Sequence, residues 1–117
     1  MLMQTVFLEY PLTVQAHWVG GDLTVLCTGG SRPHLGGCAM AVPYRRPGGC
    51  SAAVSSLAAP GHQDAVLAGA AAGRLCRRLG CTVLVQCGIH YDNLAPEALQ
   101  ELQARVLDLC DQLGGPV

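Results

Sequence analysis

The hydrophobic pattern changes period once along the chain, near Pro60-Gly61. Before that point short apolar runs alternate with breakers. Residues 4–9 form a brief apolar run that Tyr10-Pro11 would end, and residues 12–19 (LTVQAHWV) alternate apolar and polar, as a half-buried strand does. Gly20-Gly21-Asp22 reads as a hairpin turn with residues 23–28 (LTVLCT) as the returning strand. After the breaker-rich GGSRPHLGG come a short apolar strand (38–42), a turn at YRRPGG (44–49) and a further strand, SAAVSSLA (51–58). This half predicts an antiparallel meander.

Beyond Pro60 the spacing becomes helical. Leu67, Ala71, Leu75 and Leu79 recur every four residues, Asp64 falls in the first turn, Arg77 and Arg78 in the last, and Gly80 supplies the stop. Residues 82–86 (TVLVQ) form the purest strand signal, expected to be buried on both faces. Leu99, Leu102, Val106, Leu109 and Leu113 then mark an amphipathic helix opened near Pro96-Glu97 and closed by Gly114-Gly115-Pro116. The order predicts an α+β fold as a single domain over residues 1–117: a mainly antiparallel sheet of five or six strands with two helices on one face. The sheet's other face needs a cover, and its small, weakly polar residues make a second copy of the chain, a homodimer, the expected one.

Composition sharpens the core. Half the residues are hydrophobic but only 4% aromatic, so alanine, valine, leucine and cysteine must fill the interior. The seven cysteines form no CxxC pair, and several lie within apolar runs, so buried, reduced thiols are expected. A net charge of −1 argues against nucleic acid or an anionic membrane surface as partner. The chain has no lysine, which removes Schiff-base chemistry and the phosphate-binding lysine of P-loops, and leaves arginine alone to grip an anion. No apolar stretch reaches the roughly 18–20 residues of a membrane span, and the N-terminus does not read as a signal peptide, so a soluble, cytoplasmic protein is expected. Abundant Ala, Gly and Arg without lysine goes with a GC-rich bacterial genome.

Four loops hold the candidate chemistry. Gly29-Gly30-Ser31-Arg32-Pro33-His34-Leu35-Gly36-Gly37 is either a long connection or a backbone cradle for an anion with Arg32 beside it. Because it leads into a strand and lacks GxGxxG, a Rossmann site is disfavoured. His62 precedes the first helix, where free amides could bind an anion or the histidine could simply be tolerated. His90 and Asp92 sit two apart at a strand exit and could converge on a ligand, or Asp92 and Asn93 could merely open an Asx turn. A zinc or manganese site from His34, His62, His90 and Asp92 is chemically allowed but has no spacing signature. Tyr44-Arg45-Arg46-Pro47 reads as a solvated tip or a docking patch.

Taken together, TGGSRPHLGGCAMAVP, PGHQDAVLAGAAAGRL and VLVQCGIHYDNLAPEAL resemble the LpdD-like prenylated flavin chaperone family, small proteins that accompany UbiD-type hydroxyarylic acid decarboxylases. The resemblance runs from the residue-12 strand to the last helix, through GGxxxHxG, PGHxD and GIHxDN. It implies a fold related to proteasome-assembly-chaperone-like domains, which pair as dimers. The implied role is non-catalytic: binding prenylated flavin mononucleotide (FMN) as cargo and assisting its delivery to a UbiD-type decarboxylase. Carried onto this chain, it implies that Gly29, Gly30, His34 and Gly36 form one wall of the cofactor site. His62 belongs to a second wall, and His90, Asp92 and Asn93 to a third. Arg32 suits the phosphate. A small metal-dependent enzyme and a purely structural assembly factor remain the alternatives.

Overall fold

The computed structural model describes residues 1–60 and 63–114. Six strands and two helices follow in the order β1 (Leu2–Phe7), β2 (Tyr10–Val19), β3 (Asp22–Gly30), β4 (Gly37–Arg46), β5 (Gly49–Ala58), α1 (Asp64–Leu79), β6 (Val83–His90) and α2 (Pro96–Asp111). They build one sheet in the order β1-β2-β3-β6-β4-β5. The expected α+β architecture is present, but the meander is not continuous. β6 enters between β3 and β4, parallel to the first and antiparallel to the second. The reason lies in composition: β6 carries Val83, Val85 and Cys87 fully buried, so the most apolar strand takes a central place. Its opposite face, with Leu84 and Gln86, is only half-buried, short of the two-sided burial its sequence suggests.

Alternation decides which side chains meet the helices. Leu12, Val14 and Ala16 of β2 and Leu23, Val25 and Cys27 of β3 point to one face and are buried. There α1 presents a stripe of Ala68, Ala71, Ala72 and Leu75 toward the small Ala39 and Ala41 of β4, so a helix of short side chains lies close on the sheet. The longer Leu102, Val106 and Leu109 of α2 join the same core. Each fully buried leucine or valine contributes about 1.5–3 kcal/mol relative to exposure. Cys27, Cys87 and Cys110 complete this core as buried free thiols; the Cys110 contact and burial push Cys27 well above the usual thiol range, and burial with the Asp64 charge does the same to Cys87.

The ends of the elements follow local rules with two surprises. Gly80 closes α1 in the left-handed region, its amide donating to the Cys76 carbonyl. Arg74 Nε donates to Asp111 Oδ1 at 2.9 Å, tying α1 to the end of α2. The first hairpin turns at Leu8-Glu9, both with positive φ, rather than at Tyr10-Pro11, which already lie in β2. The loop read as 29–37 shrinks to 31–36, because Gly29 and Gly30 extend β3 and Gly37 opens β4.

The face away from the helices is uncovered within the chain. Leu2 and Val6 of β1, Met40 and Val42 of β4 and Leu57 of β5 are exposed there, Leu57 at 75%. Leu26 and Leu84 lie half-buried between them. Asp22 and Arg46 stand at the strand ends, and between them the face carries glutamine, threonine, serine and the exposed His17 but no aspartate, glutamate or arginine.

Candidate functional site

The strand order creates the site. To pass from β3 to β4 the chain must cross β6, so residues 31–36 wrap the carboxyl end of that strand. The wrap is held by backbone: the amides of Ser31, His34 and Gly36 donate to the carbonyls of His90, Gly88 and Cys87 at 2.9, 3.4 and 2.9 Å. Gly88 is needed for this closeness, since a Cβ there would lie 1.4 Å from the His34 carbonyl oxygen. At Gly30, with φ at +81°, a Cβ would lie 1.8 Å from the His90 carbonyl oxygen. The glycines expected to cradle an anion therefore serve close packing, and amides of the loop already have acceptors in β6. That leaves side chains to meet a ligand.

Two histidine–aspartate pairs flank this crossing. Asp64, in the first turn of α1, is buried at 8% exposure. Its Oδ1 accepts from the Ile89 amide at 3.1 Å, its Oδ2 lies 3.2 Å from His34 Nε2, and the Cys87 thiol donates to Oδ1 at 3.8 Å. His34 Nδ1 stands 2.8 Å from the Arg32 carbonyl oxygen. Carbonyl and carboxylate only accept, so both contacts are made at once when the ring carries both protons. With both nitrogens directed inward, His34 can offer a ligand mainly the face of its ring.

The second pair is open. His90 Nε2 lies 2.8 Å from Asp92 Oδ1 and 3.0 Å from Arg32 Nη2. One ring nitrogen cannot donate to the carboxylate and accept from the guanidinium together, so these contacts compete. An anion drawing Arg32 away would leave His90 free to donate to Asp92. Arg32 is exposed and its remaining N–H groups make no other contact among the described residues, which makes it the available cation at this pole. Asn93, with φ at +56°, turns the chain toward α2, so its left-handed backbone has a structural reason.

Beside the pairs, between the first turns of α1 and α2 and the end of β6, lies a cleft of about 350 Å³. Leu67, Ile89, Leu94, Leu99 and Leu102 give it apolar walls, with Gln63, Asp64, His90 and Gln103 among its polar lining. Tyr91 also lines it, but its hydroxyl donates to the Phe7 carbonyl at 2.8 Å and its ring packs edge-on against Phe7 and Tyr10. Burial pushes its phenol up. Trp18 and Tyr44 belong to the opposite ends of their strands and cannot stack on a ligand here.

Gly29, Gly30, Arg32, His34, Gly36, His90, Asp92 and Asn93 thus gather at one pole, while His62 lies outside the described residues. Among the described residues no three histidine, cysteine, aspartate or glutamate side chains cluster as a metal site would require. Sequence reasoning missed Asp64 as a site residue, reading it as a charge matched to the helix dipole; the signal was its place in PGHQD, two residues after the histidine.

A family model described as the prenylated flavin chaperone LpdD-like domain matches residues 7–115. No curated protein matches the chain. Among solved structures, a chaperone complex for yeast 20S proteasome assembly superposes with a TM-score of 0.56 at 11% identity, over 94% of this chain and 91% of that one. At that identity the likeness speaks to the fold, which is the six-stranded α+β arrangement expected from the sequence.

Proposed function

Because the chain belongs to the prenylated flavin chaperone LpdD-like domain family, we propose that it binds prenylated FMN as cargo and assists its delivery to a UbiD-type decarboxylase. The observation that carries this reading is the gathering of Arg32, His90 and Asp92 at the mouth of an apolar cleft, at the carboxyl end of the central strand β6. Ligands of open sheets bind at such strand ends, where a crossing chain leaves a crevice. Arg32 takes the phosphate through charge-assisted bonds. His90, Asp92 and Asn93 form one wall, and Gly29, Gly30, His34 and Gly36 shape the other; the family resemblance adds His62 to the set.

The role is non-catalytic. Burial holds the Cys76 and Cys87 thiols in the neutral form, which is the opposite of what a nucleophile needs, and Cys110, whose acidity the Cys27 contact raises, is itself fully buried in the core. The protein works in the cytoplasm as a homodimer, each copy covering the other's open sheet face; exposed apolar area of this kind marks an interface. Sedimentation of the purified protein tests this, with a dimer that Leu57→Lys or Met40→Glu converts to monomer.

The central test is an anaerobic titration with prenylated FMN and ordinary FMN, followed by flavin fluorescence, for the wild type and His90→Ala. Saturable binding weakened in the variant, with no chemical change in the flavin, supports the carrier. Mixing the loaded protein with an apo-decarboxylase should then speed recovery of decarboxylation over free cofactor. Absence of binding by the wild type would remove the proposal.

A further inference from the structure

The family reading leaves open which end of the ligand goes where, and the cleft answers that. Resting on that reading, we infer that the cleft between α1 and α2 holds the isoprenoid-modified ring end of the flavin. Leu94 and Leu99 there select the prenylated cofactor over the plain one.

Three observations lead to this orientation. First, size: about 350 Å³ is near the lower end for small-molecule sites, so the cleft encloses one end of a flavin nucleotide and not the whole. Second, lining: five aliphatic side chains wall it, and no arginine is among the residues that line it. Third, charge: the available cation, Arg32, lies outside the cleft and reaches it only through His90. An apolar body with an anionic tail therefore enters ring first, with its phosphate left toward Arg32. Plain FMN offers the cleft only a polar-edged ring, whereas an added isoprenoid unit brings aliphatic carbon to aliphatic walls. Ile89, Leu94 and Leu99 are the half-buried members of the wall, accessible to a ligand, unlike Leu67 and Leu102, which are buried in the core; Leu94 and Leu99 are the two that lie outside the sheet.

The test compares dissociation constants for prenylated FMN and FMN in the wild type, Leu99→Asn, Leu94→Ser and Arg32→Gln. Each CH₂ placed against apolar walls is worth about 0.8 kcal/mol, so the wild type should prefer the prenylated form by about tenfold or more. Leu99→Asn should erase most of that preference while leaving FMN affinity within about threefold. Leu94→Ser, which lies before α2, does the same if the helix substitution fails to fold. Arg32→Gln should weaken both ligands equally and keep their ratio. The inference is overturned if the wild type binds both forms alike, or if the leucine variants lower both affinities in step. Wild-type protein that binds neither flavin would instead overturn the carrier reading itself, and this orientation with it.

Discussion

His34–Asp64 and His90–Asp92 are chemically the same pair, at the same end of the sheet, in different surroundings. In the first the carboxylate is 8% exposed, accepts a backbone amide of β6 and anchors the start of α1; in the second the aspartate side chain is 74% exposed and shares its histidine with an arginine. The buried pair ties the 31–36 loop to α1 and β6, two of the three elements that bound the cleft. The open pair can exchange partners at little cost, because water stabilises whatever it releases. One stretch of chain thus supplies a fixed frame and a changeable contact, and identical residue types do not reveal which is which.

The sharpest way to break the contrast is to remove each carboxylate. Asp64→Ala leaves a buried Ile89 amide and His34 without their acceptor, and should cost about 3–5 kcal/mol, as lost buried pairs do. Thermal unfolding followed by circular dichroism should show a midpoint lower by more than about 10 °C. Asp92→Ala should change the same midpoint by less than a few degrees, since exposed pairs contribute about 0–1 kcal/mol. Equal effects would dissolve the distinction between frame and contact.

The thiols extend it. Cys27 has its acidity suppressed by its contact with Cys110 and by burial, Cys87 by burial and the neighbouring Asp64 charge, whereas Cys50 is exposed. An acid whose folded pKa is raised keeps its proton in the folded state after the unfolded chain has lost it. For Cys87, stability is therefore full below the unfolded value of about 8.5 and falls as pH rises past it, by about 1.4 kcal/mol per pH unit. The Cys27 contribution, raised first by its contact with Cys110, is offset in part by the lowered Cys110. Urea midpoints measured from pH 8 to 10 should decline over the upper half of that range. In native protein at pH 8, iodoacetamide should label Cys50 first and leave Cys27 and Cys87 unmodified until urea is added.

On the open side, Arg32→Gln should leave the melting midpoint unchanged and weaken flavin phosphate binding by roughly 10–100-fold, the worth of one charge-assisted contact. Titration of prenylated FMN against the variant checks it. A stability loss without an affinity loss would move Arg32 into the frame.

How far this division could be read beforehand depends on what sets it. The alternation of Leu12, Val14 and Ala16 and the four-residue spacing of Leu67, Ala71 and Leu75 are local signals, and the elements they mark form where expected. The insertion of β6 between β3 and β4 is not local: nothing within residues 22–46 says that a strand sixty residues away will divide them. The site follows the same rule. The loops that carry it stand out as breaks in pattern, yet the amides of Ser31, His34 and Gly36 find their acceptors only because β6 arrives there. Asp64 looks like any acidic residue at a helix start, and only the fold gives it Ile89 and His34 as neighbours. Likewise the shared claim of Arg32 and Asp92 on one nitrogen of His90 exists only after residues 32 and 90 are brought together.

That shared claim yields the smallest effect and the most informative sign. In the free protein Asp92 and Arg32 reach the same histidine nitrogen, so the carboxylate charge lies near the guanidinium and competes electrostatically with an incoming phosphate. Asp92→Asn keeps an oxygen that can accept from His90 but removes the charge. If the aspartate acts only as this competitor, prenylated FMN should bind about two- to fivefold more tightly, the scale of one exposed ionic interaction, and the gain should shrink as salt is raised. If instead the carboxylate accepts a ribityl hydroxyl of the cargo, the same substitution weakens binding and salt changes it little. The two roles make opposite predictions for one variant, so the sign of the change, read with its salt dependence, decides between them.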